Sequence, residues 1–428
     1  MAADRDATAA RTLAGWVPPA RNVAALASAQ VRAAGHRPFL TFYDDDTGER
    51  TELGYATFDN WVSKTANLLV EEFGVEPGDR VVTVLGSHWT TVVVAFACWK
   101  AGACVAPIDA DDAPRRLVEA LRPTGARLAV VREDLAPDVA GAIQVVAVGD
   151  GLGARLTRPV PGALPYGEEV LAFADDYDDP GVGLDTPALL ALPAHAGDVP
   201  APVVLTQENL LAAAAAFRDW TGLGTEDRVL WTDGPQRVEG LALGQLGAFL
   251  AGAGTVLARA APVGATARRI RDERVTWAAP SGPLLSHLSE SSGEGLGGLR
   301  GLLCPTGAPA ALADGVRDRT GLAVLSGHGD ARASAAAAFT PPDLDPPTLA
   351  WLRGRDGTPV GCPSSVAEVT ARAGELCVRG PVVMAGYDGR SDLDAAAFAG
   401  GWLHTGAAGA VEEGPDGRLH VFVHGRRI

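Results

Sequence analysis

The stretch Gly327-His328-Gly329-Asp330-Ala331-Arg332 sets an imidazole, a carboxylate and a guanidinium close together between glycines. An imidazole titrates near neutral pH, so His328 can serve as a general acid or base. A guanidinium carries a planar fork of donors that matches a carboxylate or a phosphate, so Arg332 can hold an anion. A second stretch, 193–202, offers His195 and Asp198, and a third offers Asp233, Arg237 and Glu239. No metal site is implied, because His328 and Asp330 at i and i+2 make a poor pair without further ligands. The plainer alternative is a set of solvated loops in which each histidine is an ordinary half-exposed residue.

Other chemistries are weaker or excluded. The chain has 428 residues and only two lysines, Lys64 and Lys100, so any mechanism needing a lysine in the last three quarters of these residues is excluded. The five cysteines (Cys98, Cys104, Cys304, Cys362 and Cys377) lack CxxC or Cys/His spacing and read as reduced, buried thiols, with Cys304 a strand-end core residue. Ser281-Gly282 lacks the Gly-x-Ser-x-Gly elbow, which speaks against a hydrolase. A formal charge of −16 repels phosphate backbones and anionic lipid, so neither nucleic acid nor membrane is an expected partner. No signal-peptide pattern opens the sequence and no apolar run is long enough to span a bilayer, so a cytoplasmic location is expected.

These loops need elements to hold them. With 47% hydrophobic residues, 21% charged residues and a mean hydropathy near zero, the sequence describes a packed chain. Residues 39–43 and 50–54 read as a hairpin around Asp44-Asp45-Asp46-Thr47-Gly48, and 57–73 as an amphipathic helix. Strand patterns at 80–85, 104–108, 128–131 and 144–148 alternate with helices at 90–101 and 114–122. A second alternating series follows, with strands at 189–192, 228–231, 255–258, 276–279, 299–304 and 322–325 and helices at 209–220, 240–251 and 265–273. Trp99, Trp231, Trp277 and Trp402 are expected in the core. Alternation with apolar strands predicts parallel sheets covered on both faces. The acidic run 175–181 is the best linker candidate. The expected division is a first α/β lobe at 1–180, a second at 181–340 and a smaller β-rich lobe at 341–428.

Four segments in this order resemble the adenylate-forming superfamily of acyl-CoA synthetases, peptide-synthetase adenylation domains and luciferases. They are Lys100-Ala101-Gly102-Ala103 running to Pro107-Ile108-Asp109, Val203-Val204-Leu205-Thr206-Gln207-Glu208-Asn209-Leu210, Gly374-Glu375-Leu376-Cys377-Val378-Arg379-Gly380-Pro381 with Gly386-Tyr387, and Gly401-Trp402-Leu403-His404-Thr405-Gly406 with Gly425-Arg426. The resemblance implies two stacked α/β sheets plus a small distorted β-barrel. In that fold the loops bearing His195, Asp198, His328, Asp330 and Arg332 face one pocket, Arg237 lies on its acyl side, and Thr306-Gly307-Ala308 resembles a turn lining the acyl and adenine region. The family also adds a C-terminal lid with a catalytic lysine, and the expectation here is that the lid is absent.

The departures from the family are as specific as the matches. Its phosphate loop ends in Pro-Lys-Gly, where this sequence has Pro200-Ala201-Pro202. Prolines 193, 200 and 202 remove backbone donors that a phosphate cradle needs, and Asp198 adds negative charge. The family's magnesium-holding glutamate is replaced by Arg332, and a guanidinium has no lone pair to offer a cation. The ribose-binding aspartate after Thr405-Gly406 is replaced by Ala407, while Arg426 stands at a hinge-side arginine. An unpaired unit charge at ~4 Å costs about 4 kcal/mol at an effective dielectric of ~20. The residues therefore predict a divergent synthetase-like protein that has lost adenylation with magnesium and ATP. It would need no cofactor and would bind an acyl, acyl-thioester or carrier-bound ligand as a pseudoenzyme or repurposed tailoring protein, with an acyl carrier protein or another protein as the candidate partner. The alternative is an active acyl-adenylate or acyl-CoA ligase, using ATP and magnesium, completed by a separate lid or partner chain.

Overall fold

Packing of the fully apolar segments decides the architecture. The computed structural model describes residues 2–109, 117–192, 201–232, 234–259, 262–290 and 296–426. The helix Trp89–Ala101 is buried on every side, as its unbroken apolar sequence requires. It starts on His88, whose ring nitrogen accepts from Thr90 N, and stops at Gly102 in the left-handed region (φ 77). The helix Gln207–Thr221 is set by a capping box between Thr206 and Asn209 and is likewise almost wholly buried. An aromatic cluster of Phe39, Tyr55, Phe58, Phe96 and Phe249 locks these helices to the sheets. The four tryptophans expected in the core are there.

Two sheets result. The first runs Gly386–Tyr387, Val203–Thr206, Pro187–Ala191, Cys104–Pro107, Arg80–Val84, Leu128–Arg132, Gln144–Val148 and Ala163–Pro165, parallel from Pro187–Ala191 onward. The second begins with the hairpin Arg50–Gly54 and Pro38–Asp44. Five more strands follow in parallel: Gly254–Arg259, Arg228–Trp231, Trp277–Ala279, Gly301–Cys304 and Ala323–His328. Pairing crosses position 180 in both directions. The early strand Pro38–Asp44 lies in the second sheet and the later strand Pro187–Ala191 in the first. The acidic run 175–181 is not a free linker, since Asn67 donates to the Ala174 and Asp176 carbonyls and Asp179 accepts from Arg21 and Asn22.

The β-rich lobe continues the second sheet. Ala338–Phe339 pairs antiparallel with the Ala323–His328 strand and is followed by Thr358–Pro363, Leu419–Arg426, Trp402–Glu413, Glu375–Arg379 and Glu368–Arg372. This is an open run. Among the described strands no pairing closes it into the expected barrel, because its first strand stays bonded to the parallel sheet. The helix expected at 57–73 is Tyr55–Asn67, prolonged by a wide π-type turn over Leu68–Glu72. The helix expected at 114–122 is described only as Leu117–Leu121, its start lying outside the described residues.

Candidate functional site

In an open parallel sheet, ligands bind beyond the carboxyl ends of the strands. The neighbouring strands Gly301–Cys304 and Ala323–His328 present there the turn Pro305-Thr306-Gly307-Ala308 and the stretch Gly329 to Arg332. Gly307 has φ 91 and closes its turn by donating to the Cys304 carbonyl at 2.8 Å. Thr306 and Gly307 are exposed and Ala308 is half-buried. The two strand ends approach so closely that a Cβ on Gly327 would lie 2.4 Å from the Pro305 carbonyl oxygen. Gly327 is thus required by packing.

Beyond it, Asp330 caps the short turn Ala331–Ala333 by accepting from Arg332 N at 2.8 Å. The same carboxylate takes the guanidinium: Arg332 Nε donates to Oδ1 at 3.1 Å and Oδ2 at 3.0 Å, and Nη2 donates to Oδ2 at 2.5 Å. Nη2 also donates to the Thr405 carbonyl at 2.8 Å, across to the β-rich lobe. The Arg332 carbonyl accepts from Met384 N at 2.8 Å, beside the first sheet's edge strand Gly386–Tyr387. Arg332 therefore stands where both sheets and the β-rich lobe meet. Burial opposes its charge, but the hydrogen bonds and charge of Asp330 outweigh that and raise its pKa above the ordinary range. Burial pushes the His328 pKa down, with Asp330 pulling the other way, so His328 is held toward the neutral imidazole rather than poised at neutral pH.

The remaining expected residues divide. Thr405 joins the cluster: its hydroxyl donates to the Leu376 carbonyl at 2.7 Å and accepts from Ala407 N at 3.1 Å. Arg237 is exposed after the strand Arg228–Trp231, and the hydrogen bonds and ion pair of Asp330 and Arg332 among the described residues do not include it. Ala201 is buried. His195, Asp198 and Asp233 lie outside the described residues, so their expected convergence with His328 is not part of this geometry. Two neighbours escaped sequence reasoning. Tyr387 lies near Arg332: burial raises the pKa of its phenol, and the Arg332 charge acts against that rise. His404 Nδ1 lies 3.1 Å from Glu375 Oε2, whose other oxygen accepts from Gly406 N. The signal for both was present, since Tyr387, Glu375 and His404 fall inside matched segments. A small cavity of about 80 Å³, lined by Phe73, Val75, Arg80 and Arg127, lies at the opposite, amino ends of the first sheet's strands and takes no part.

The magnesium ion that the family's fold implies would find no ligand in Arg332. Arg332 is a donor-only cation at the glutamate position. No group of three His, Cys, Asp or Glu side chains among the described residues is arranged to hold a metal.

The family model described as AMP-binding enzyme matches residues 27–388. The feruloyl-CoA synthase of an Amycolatopsis species is 30% identical over 383 residues, covering 87% of this chain and 73% of that protein. A TIGR03089 family protein of Mycobacterium tuberculosis is 32% identical over 254 residues, covering 59% of this chain and 95% of its own length. Among solved structures, an anthranilate CoA ligase in complex with anthranoyl-AMP superposes with a TM-score of 0.79 at 18% identity, covering 96% of this chain and 78% of that one. The inhibitor-bound N-terminal domain of FACL13 from Mycobacterium tuberculosis gives 0.78 at 16% identity, covering 95% and 100%. The chain belongs to the AMP-binding enzyme family of adenylate-forming ligases, and its two-sheet architecture is that of their N-terminal domain.

Proposed function

We propose that this protein is an acyl-CoA ligase of the adenylate-forming type, activating an organic carboxylic acid through an acyl-adenylate for transfer to a thiol. The observation that carries this reading is the 30% identity to feruloyl-CoA synthase across 87% of the chain. It favours the ligase over a protein that has lost the reaction. The carboxylate and the nucleotide phosphate would meet at the carboxyl ends of the second sheet's strands, beside Thr306, Gly307 and Arg332. Two anions must approach each other there, so positive charge has to be supplied. Arg332 would supply it. The thiol acceptor is CoA by analogy with the relatives' names, and an acyl carrier protein is the alternative acceptor. No helix among the described residues is long and apolar enough to cross a membrane, in keeping with a cytoplasmic enzyme.

One observation favours a second reading, an acyl-binding protein without adenylation. Arg332 is already neutralised by Asp330, and Ala201 and Ala407 replace a lysine and a ribose-binding carboxylate of the family. Pyrophosphate release from ATP over a panel of aromatic and aliphatic acids with CoA separates the two. Acid-dependent release supports the ligase. Its absence, together with thermal stabilisation by acyl thioesters, supports the second reading.

A further inference from the structure

We infer that Arg332 is the anion-binding group of this site, that Asp330 is an internal competitor occupying its fork, and that a ligand's carboxylate or phosphate enters by displacing Asp330 without a metal bridge. This inference deepens the proposed function and rests on its ligand class.

The two halves of the ion pair are held very differently. The Arg332 side chain is only 14% exposed and donates to the Thr405 carbonyl, while its main-chain carbonyl accepts from Met384 N and holds the backbone beneath it. A guanidinium so enclosed cannot leave, and it cannot be left without an anion. The Asp330 side chain is 42% exposed. Its carboxylate can turn toward water and regain hydration there, whereas the buried arginine has no such escape. Asp330 also reaches Arg332 from only two residues away and caps the turn with the same carboxylate. An incoming oxyanion faces neither constraint and can take the guanidinium's paired donors side by side. The location agrees, since the pair lies beyond the parallel strand ends, next to the exposed Thr306-Gly307 turn. A structural salt bridge would need no such asymmetry and no such address.

Two sources can supply the anion, and the test separates them. AMP probes the phosphate and ferulate probes the carboxylate, each titrated calorimetrically against the purified protein in EDTA and again with magnesium. The inference predicts saturable binding of at least one probe, unchanged by EDTA. It predicts about threefold or greater tightening in Asp330→Asn, where the competitor loses its charge, and about tenfold or greater weakening in Arg332→Gln. Arg332→Lys, which keeps the charge but not the fork, should fall between, and it serves if the glutamine variant does not fold. Saturation by AMP alone assigns the phosphate, and saturation by ferulate alone assigns the carboxylate. Equal binding in all variants, weakening in Asp330→Asn, strict magnesium dependence, or no saturation of either probe by wild type and Asp330→Asn overturns the inference. Acid-dependent pyrophosphate release indifferent to Arg332→Gln would sink the inference and leave the ligase reading standing. Arg332-dependent binding with no turnover would do the reverse.

Discussion

Replacing His88 by asparagine should remove much of the protein's acid sensitivity between pH 8 and 5. His88 follows the first sheet's strand Arg80–Val84 and packs at the seam with the second sheet, its ring 5.0 Å from that of Phe42. The neighbouring Ser87 donates across the same seam to the Ala258 carbonyl. Burial, then the nearby charges of Arg259 and Arg132, push the His88 pKa down from 6.5 to about 3. The folded protein therefore refuses a proton that the unfolded chain accepts. The stability this represents is full above the unfolded value and is lost as pH falls below 6.5 toward 3, at about 1.4 kcal/mol per pH unit. Between pH 8 and 5 the loss comes to about 2 kcal/mol. His328 shifts in the same direction and adds to the limb. Asparagine keeps an acceptor for Thr90 N at the helix start. It gives up ring packing against Phe42 and Trp89, costing about 1–2 kcal/mol at pH 8. Urea denaturation followed by circular dichroism at half-unit steps from pH 8 to 5 measures both effects. A lower plateau with a shallower acid limb is expected. Parallel wild-type and variant curves would show that His88 is not a source of the acid limb.

Three further predictions concern packing and reactivity. Gly327→Ala puts a methyl 2.4 Å from the Pro305 oxygen and should cost about 1–3 kcal/mol by chemical denaturation while loosening ligand binding at the adjoining turn. Asp388→Asn breaks the two-bond pair with Arg80 that ties the turn after Gly386–Tyr387 to the first sheet. Because both side chains are partly exposed, it should cost only about 1 kcal/mol, read as a small shift in the denaturation midpoint. Native alkylation with iodoacetamide should mark Cys362 first, since the other four thiols are buried. It should be slow at pH 7.5, because burial, followed by the charge of Asp416, pushes that thiol up to about 11. Peptide mass mapping checks it.

The sequence made local structure readable and left long-range pairing hidden. The helix Gln207–Thr221 was legible because Thr206, Asn209 and Gly222 mark its ends. The His328–Arg332 stretch was legible because charge interrupts glycines at a strand end. The interleaving of Pro38–Asp44 into the second sheet was not, since an apolar strand carries no label for its partner. Nor was the burial of Glu273 between Arg50 and Arg228, groups far apart in the chain that meet only when that sheet forms. The Arg332 fork was expected to face a ligand's anion, and its resting partner is instead Asp330 two residues away, a contact no hydrophobic pattern predicts.

The most direct test is whether Arg332 serves carboxylate activation. Pyrophosphate release should therefore be compared between wild type and Arg332→Gln, with ferulate and other acids, ATP, magnesium and CoA. Acid-dependent release by wild type that falls steeply in the variant is the predicted result. No acid-dependent release by wild type, or equal release by both, would contradict it.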